Sequence, residues 1–342
     1  MRLGRAVAVA LLLLAAACAP DNTDMSSAPL TKTASLAPLL ESDAIVADDG
    51  ARLPLVSWLP PGRPKAVVLY IHGFNDYSHG GEAPGKILAR DGIAAYAYDQ
   101  RGFGRAPERG RWAGTQRLAQ DLAEASRLLR ARHPGLPLYL LGESMGGALV
   151  VAAVTGVSGA EKPVQDGIIL MAPAVWGRAY LNIFERGALA LAYAFVPNMT
   201  FTGQSLHIMA SDNIEMLREL ARDPLFIKAT RVDAIKGLVD LMDLAYAAGP
   251  LLTEKTLLLY GAHDELIPVE PVKGFIRSLP AVPPGRRTIA WYKAGYHMLS
   301  RDLEGATVIA DIESWIEHPA APLPSGADRN VLEVPDSESR WR

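Results

Sequence analysis

The sequence predicts a doubly wound α/β fold carrying a helical insertion. Three observations predict it. Short apolar runs bounded by glycine, proline or charge alternate with helix-patterned segments; one run leads directly into Gly142-Glu143-Ser144-Met145-Gly146; and a stretch of roughly 80 residues with its own helical pattern separates the fourth run from the fifth. One α/β core with an elaboration accounts for a chain of 342 residues. A content of 49% hydrophobic and 21% charged residues fits a packed core and argues against a disordered or multi-span membrane chain. The formal net charge is −3, and no Lys/Arg run could form a phosphate-binding stripe, so nucleic acid is not an expected partner.

The N-terminus reads as a targeting segment. Arg2 and Arg5 precede an apolar stretch, Ala6 to Ala17, too short to span a bilayer but suited to a signal-peptide core. It ends at the only cysteine, Cys18, so no intrachain disulfide is possible. Ala15-Ala16-Ala17-Cys18 resembles the lipobox of bacterial lipoproteins, in which the cysteine is lipidated. It departs at Ala15, where leucine is preferred and Leu14 sits one place early. The expectation is a lipoprotein signal over residues 1–17, a lipid anchor on Cys18 and a cell-envelope location. Ala19 after the cysteine favours the outer membrane, facing the periplasm. A plain secretory signal with a secreted or periplasmic product is the alternative. Residues 18–43, rich in Ala, Pro, Ser and Thr, read as a flexible tether.

Folding is expected from Ala44. Ala44 to Ala47 and Leu53 to Leu59 flank Asp48-Asp49-Gly50, a hairpin signal. Strands follow at Ala66 to Ile71, Ile93 to Tyr98, Leu138 to Leu141, Gly167 to Met171, Thr256 to Tyr260 and, more mixed, Arg287 to Tyr292. Gln116 to Arg132 carries Leu118, Leu122, Ala125, Leu128 and Leu129 on one helical stripe, and Leu303 to Glu317 forms a closing helix. Residues 44–174 and 251–318 thus make the core. Residues 175–250 make an inserted cap with helices near Asp212 to Ala221 and Val232 to Ala247. Residues 319–342, with no periodic apolar face, read as a loose tail.

The Gly-x-Ser-x-Gly string after a strand carries the chemistry. A serine hydroxyl needs a base to take its proton and N–H donors to hold the developing oxyanion. Small residues on both sides permit the tight turn that exposes Ser144 above the sheet. The bland alternative is a serine that only caps the helix beginning at Met145. An acid should follow a later strand, and Asp264 in Gly261-Ala262-His263-Asp264 comes directly after one, at the carboxyl end of the sheet. Glu265 and Asp240 are reserves, and an Asx turn is the competing role for Asp264. A base lying between the last strand and the last helix leaves His297 alone among the seven histidines. A hydrogen-bonded loop histidine is its plain alternative. Backbone N–H groups of Phe74 and Met145 are the expected oxyanion donors, and His72 reads as structural. No phosphate-cradling loop and no metal-ligand spacing is present, so neither metal nor cofactor is expected.

Together, His72-Gly73-Phe74, Tyr98-Asp99-Gln100-Arg101-Gly102-Phe103-Gly104, Gly142 to Gly147, Gly261-x-x-Asp264 and His297 resemble the monoacylglycerol lipase and lysophospholipase branch of the α/β-hydrolases, a pattern shared by members classed as serine aminopeptidases. The resemblance spans Leu53 to Ile316. It implies the α/β-hydrolase fold, cofactor-free acyl transfer to water, a small acyl-ester substrate and a cap at the insertion. Glu143 replaces a histidine that many members carry and receives no mechanistic weight here. The cap holds Trp176, Tyr180, Phe184, Tyr193, Phe195, Met199 and Phe201, which suit either an acyl-chain site or packing of the cap on the sheet. Two other functions fit the same residues: an aminopeptidase or amidase, needing an acidic grip on a free amine that Glu82 or Glu215 could supply, and a non-catalytic lipoprotein scaffold.

Overall fold

The apolar runs become strands because both of their faces are covered. The protein is described from a computed structural model over residues 36–202 and 208–330. The signal segment, Cys18 and residues 331–342 lie outside the described residues. Strands β1 (Leu39–Leu40), β2 (Ala44–Val46), β3 (Arg52–Trp58), β4 (Ala66–Ile71), β5 (Ile93–Tyr98), β6 (Leu138–Glu143), β7 (Gly167–Met171), β10 (Thr256–Gly261) and β11 (Arg287–Tyr292) form one sheet. Its order is β1-β2-β3-β5-β4-β6-β7-β10-β11. β4, β5, β6, β7, β10 and β11 are mutually parallel, and β1 to β3 add an antiparallel edge through the expected hairpin. Every residue of β4, β5, β6 and β10 is buried.

Alternating side chains divide the core between the two faces. Val67, Leu69 and Ile71 pack beneath helices α2 (Thr115–Arg132), α3 (Met145–Thr155) and α7 (Val269–Ser278); Ala66, Val68 and Tyr70 pack beneath α1 (Glu82–Arg90) and α8 (Gly305–Glu317). Helix α3 is apolar all round and buried from Met145 to Val154. Arg101 and Arg117 clamp the hairpin turn to α2, reaching Asp49 and Asp48 at its tip and sharing Asp121 beneath.

The insertion is helical, with α4 (Ile183–Phe195), α5 (Ile214–Arg222) and α6 (Val232–Ala247). It also carries a two-stranded antiparallel ribbon absent from the expectation, β8 (Thr200–Thr202) with β9 (Ala229–Arg231). Such short strands leave no readable period. Leu241, Met242 and Ala245 of α6 join the main core, so the last cap helix is also a core helix.

Two boundaries need correction. The expected tether ends earlier than residue 43, because Leu39 and Leu40 pair with Val46 and Ile45 and extend the hairpin. Nor is the tail loose over residues 319–330. Leu323 and Ala327 are buried against the α8 face, and Asn330 donates to the Trp291 carbonyl at 2.7 Å. Asp311 on α8 accepts from the Ser325 backbone at 3.0 Å and from its hydroxyl. Two isolated apolar residues suffice to dock the segment, too few to show a periodic face.

Candidate active site

Register brings the site loops together. Ile71 at the end of β4 lies beside Gly142, Glu143 beside Met171, and Gly261 beside Tyr292, so the loops after β4, β6, β10 and β11 emerge at one edge. Between β6 and α3, Ser144 turns the chain at φ 53°, ψ −115°, a strained backbone for a non-glycine residue. Close approach dictates the flanking glycines. A Cβ at Gly142 would lie 2.5 Å from the Gly146 carbonyl oxygen, and one at Gly146 would lie 2.0 Å from that of Ile71. The turn is clamped from β7: the Ser144 amide donates to the Met171 carbonyl (3.0 Å), and the Ala174 amide donates to the Ser144 carbonyl (2.9 Å). Ser144 stays half-buried between buried neighbours, and its side chain makes no helix-capping bond.

The residues expected as acid and base meet. His297 Nδ1 lies 2.8 Å from Asp264 Oδ2, and their side chains are 5% and 0% exposed. Asp264 Oδ1 accepts from the amides of Leu266 (2.8 Å) and Ile267 (2.9 Å), so this carboxylate both builds an Asx turn and faces the histidine. The reserves are occupied elsewhere: Glu265 accepts from the Met209 amide, and Asp240 pairs with Arg178 and Lys236. Burial alone would push the His297 imidazole down in pKa. The Asp264 charge and hydrogen bond, helped by the Glu143 charge, outweigh burial and raise it. A general base must be neutral, so the acidic limb of kcat/KM is expected above the ordinary imidazole value of 6.5. A pH–rate profile checks this; a limb below that value would contradict it.

The His72–Phe74 loop passes beside the serine. A Cβ at Gly73 would sit 3.4 Å from Ser144 Cβ. Among the described residues neither the Phe74 nor the Met145 amide donates to a backbone carbonyl outside the regular elements, and Met145 opens α3, whose dipole favours negative charge there. Phe74 is wedged edge-on against Phe103 (5.7 Å between centroids). His72 is structural: its Nε2 accepts from the Gln100 amide (3.0 Å), which leaves Nδ1 to donate to the Gly73 carbonyl (2.8 Å). Burial pushes its pKa down, keeping it neutral. Next in the loop, Asn75 at φ 66° is tied to the cap twice. Its carbonyl accepts from the Ile227 amide (2.9 Å), and its side chain donates to Thr230 Oγ1 (2.8 Å).

Sequence reasoning passed over one group. Glu143, between Gly142 and Ser144, is 1% exposed and meets Arg301 and Tyr70. Its signal was an ionisable residue within an otherwise apolar strand-to-helix turn. No described cluster of three or more His, Cys, Asp or Glu is arranged to hold a metal ion.

A family model described as "Serine aminopeptidase, S33" matches residues 62–304, well over half of the chain and all of the site loops. The chain belongs to the serine aminopeptidase S33 family. Within reach of this S33 member is rat "Monoglyceride lipase", 28% identical over 280 residues that cover 80% of this chain and 89% of the relative. "Monoacylglycerol lipase" of Mycolicibacterium smegmatis is 25% identical over 280 residues, covering 78% and 93%. Among solved structures, a soluble variant of monoglyceride lipase from Saccharomyces cerevisiae, in complex with a substrate analog, superposes with a TM-score of 0.66 at 19% identity. It covers 87% of this chain and 100% of its own. The S33 chain thus shares the α/β-hydrolase fold expected from its motifs.

Proposed function

We propose that the protein is a serine hydrolase of lipid-type carboxylic esters, of the monoacylglycerol or lysophospholipid class, working through an acyl-enzyme on Ser144. The observation that carries this reading is the buried Asp264–His297 pair at 2.8 Å, on loops sharing one sheet edge with the strained Ser144 turn. With Nδ1–H donated to Asp264, His297 Nε2 is free to take the Ser144 proton as the hydroxyl attacks the ester carbonyl. The Met145 and Phe74 amides receive the oxyanion, each worth about 3 kcal/mol of transition-state stabilisation. His297 then returns the proton to the leaving alcohol, and a water activated by the same imidazole releases the acid. The similarity to monoglyceride lipases supports the substrate class. The peptidase reading loses its candidates for gripping an amine, since Glu82 pairs with Lys86 and His79, and Glu215 with Arg218.

The deciding experiment labels the purified soluble domain with a fluorophosphonate and then offers monoacylglycerols, lysophospholipids, p-nitrophenyl esters and aminoacyl amides. Labelling at Ser144 with turnover of the lipid esters is expected. Preferential amide cleavage, or no labelling, would overturn the reading.

Location enters the proposal through two features. Cys18 carries a lipid anchor, and Cys18→Ala should move the protein from the membrane to the soluble fraction; an unchanged distribution would contradict the anchor. The cap supplies the second feature. No residue of α4 is buried, and Ile183, Phe184, Leu191 and Phe195 are 77%, 79%, 62% and 78% exposed, so these apolar side chains are not packed into the core. A 13-residue helix of this kind suits a lipid surface rather than a span. Phe195→Asp in a soluble form should weaken vesicle binding by roughly thirtyfold, the loss of about 2 kcal/mol of apolar burial. Equal binding would argue against docking through α4.

A further inference from the structure

Three loops of the site converge on one guanidinium. Arg301 lies four residues beyond His297, Glu143 immediately precedes Ser144, and Asp76 lies two residues beyond Phe74. Arg301 Nη1 is 2.8 Å from Asp76 Oδ2, and Nη2 is 3.2 Å from both carboxylate oxygens of Glu143. The Arg301, Asp76 and Glu143 side chains are only 8%, 3% and 2% exposed. From the sheet, the Tyr70 hydroxyl donates to Glu143 Oε2; within the loop, the Tyr77 amide donates to Asp76 Oδ1 at 2.9 Å. Buried ion clusters are poor sources of stability, because desolvation offsets most of their attraction and apolar side chains of like volume often serve as well. What this cluster supplies is location: one rigid planar fork sets the distance between the nucleophile turn, the oxyanion loop and the histidine loop.

We infer that Glu143 and Arg301 are positioning residues, holding Ser144, the Phe74 amide and His297 in register so that they govern turnover rather than substrate affinity. The inference rests on the reading of Ser144 as nucleophile. The charged groups facing His297 are Asp264, Glu143 and Arg301; Asp76 stands behind the guanidinium, and Asp302 holds the Tyr296 amide at 2.7 Å. Glu143 favours the imidazolium and Arg301 opposes it, so the two residues should move the base in opposite directions.

The test uses Glu143→Gln, Arg301→Lys and Arg301→Gln, with rates expressed per fluorophosphonate-titrated site. Glu143→Gln keeps the shape and an oxygen for its partners. Its kcat should fall roughly ten- to hundredfold, the scale expected of small misplacement, with KM within about twofold. Its acidic limb should move to lower pH. Arg301→Lys keeps the cation but not the fork, so kcat should fall while the limb stays put; Arg301→Gln should lose more, with the limb displaced upward. Thermal melts accompany each variant. If Glu143→Gln does not fold, Arg301→Lys carries the kcat test, since it conserves the charge balance. The inference is overturned if kcat per labelled site is unchanged in the folded variants, if only KM rises, or if the loss is confined to a smaller labelled fraction. A wild type that neither labels nor turns over esters would instead remove the underlying hydrolase reading. An active wild type with indifferent variants removes only this inference.

Discussion

Ser144→Ala should lower ester turnover by on the order of a million-fold while leaving the fold intact. The magnitude is that of losing a nucleophile whose partners act only through it. The intact fold follows from the turn itself. The Ser144 side chain makes no capping bond, and the clamps on this residue are its own amide and carbonyl, to Met171 and Ala174, which alanine retains. Alanine also accepts the strained φ of 53° no worse than serine does, so stability should change by less than about 0.5 kcal/mol. The measurement pairs single-turnover kinetics with a melting curve. Equal rates in wild type and variant would end the covalent mechanism; a collapsed melt would mean the side chain also carries a structural duty not visible in its contacts.

Asp264→Asn should cost about 10⁴-fold in kcat for a reason specific to this loop. Oδ1 accepts two backbone amides, from Leu266 and Ile267, and Oδ2 faces His297. An asparagine here must keep its carbonyl oxygen toward those two donors, because its NH2 cannot accept from them. That orientation aims the NH2 at His297 Nδ1. The ring nitrogen then becomes the acceptor, its proton moves to Nε2, and the atom that should receive the Ser144 proton is occupied. Asp264→Ala would lose the Asx turn as well and confound the result, so the amide is the cleaner probe. Retention of more than about a tenth of wild-type kcat would show that another acid serves His297. The expected loss is far larger than a turn defect alone could give.

The parallel strands were legible because burial on both faces writes them as continuous apolar runs, and Asp264 and His297 because chain order and loop position leave few competitors. The Asx turn and the contact with His297 use different oxygens of Asp264, so the two roles weighed for it do not exclude one another. Helices α1 and α7 were harder to read. Glu82-Ala-Pro-Gly and Val-Glu-Pro-Val-Lys-Gly carry residues that usually break helices, yet Pro84 and Pro271 fall in the first turn, where an amide hydrogen has no intrahelical partner to lose. Gly85 is required by the Trp58 ring, whose nearest carbon would lie 2.3 Å from an added Cβ. Glu143 stood out as an ionisable residue in an apolar turn, but its role was illegible for a more general reason. A carboxylate in a buried turn makes sense only beside Arg301, 158 residues later, and nothing local announces the pairing. The β8–β9 ribbon and the docked segment before Asn330 likewise depend on contacts distant in sequence.

The two bonds from Asn75 to the cap bear on how such enzymes can be recombined. Here the residue next to Phe74 is fastened to Ile227 and Thr230, so the cap also helps to hold the loop whose amide is proposed to receive the oxyanion. A chimera with a foreign cap, or a minimal core lacking one, would inherit the serine and its histidine but not the settled oxyanion loop. Exchange of this module should therefore tax rate as well as selectivity unless the Asn75 anchorage travels with it.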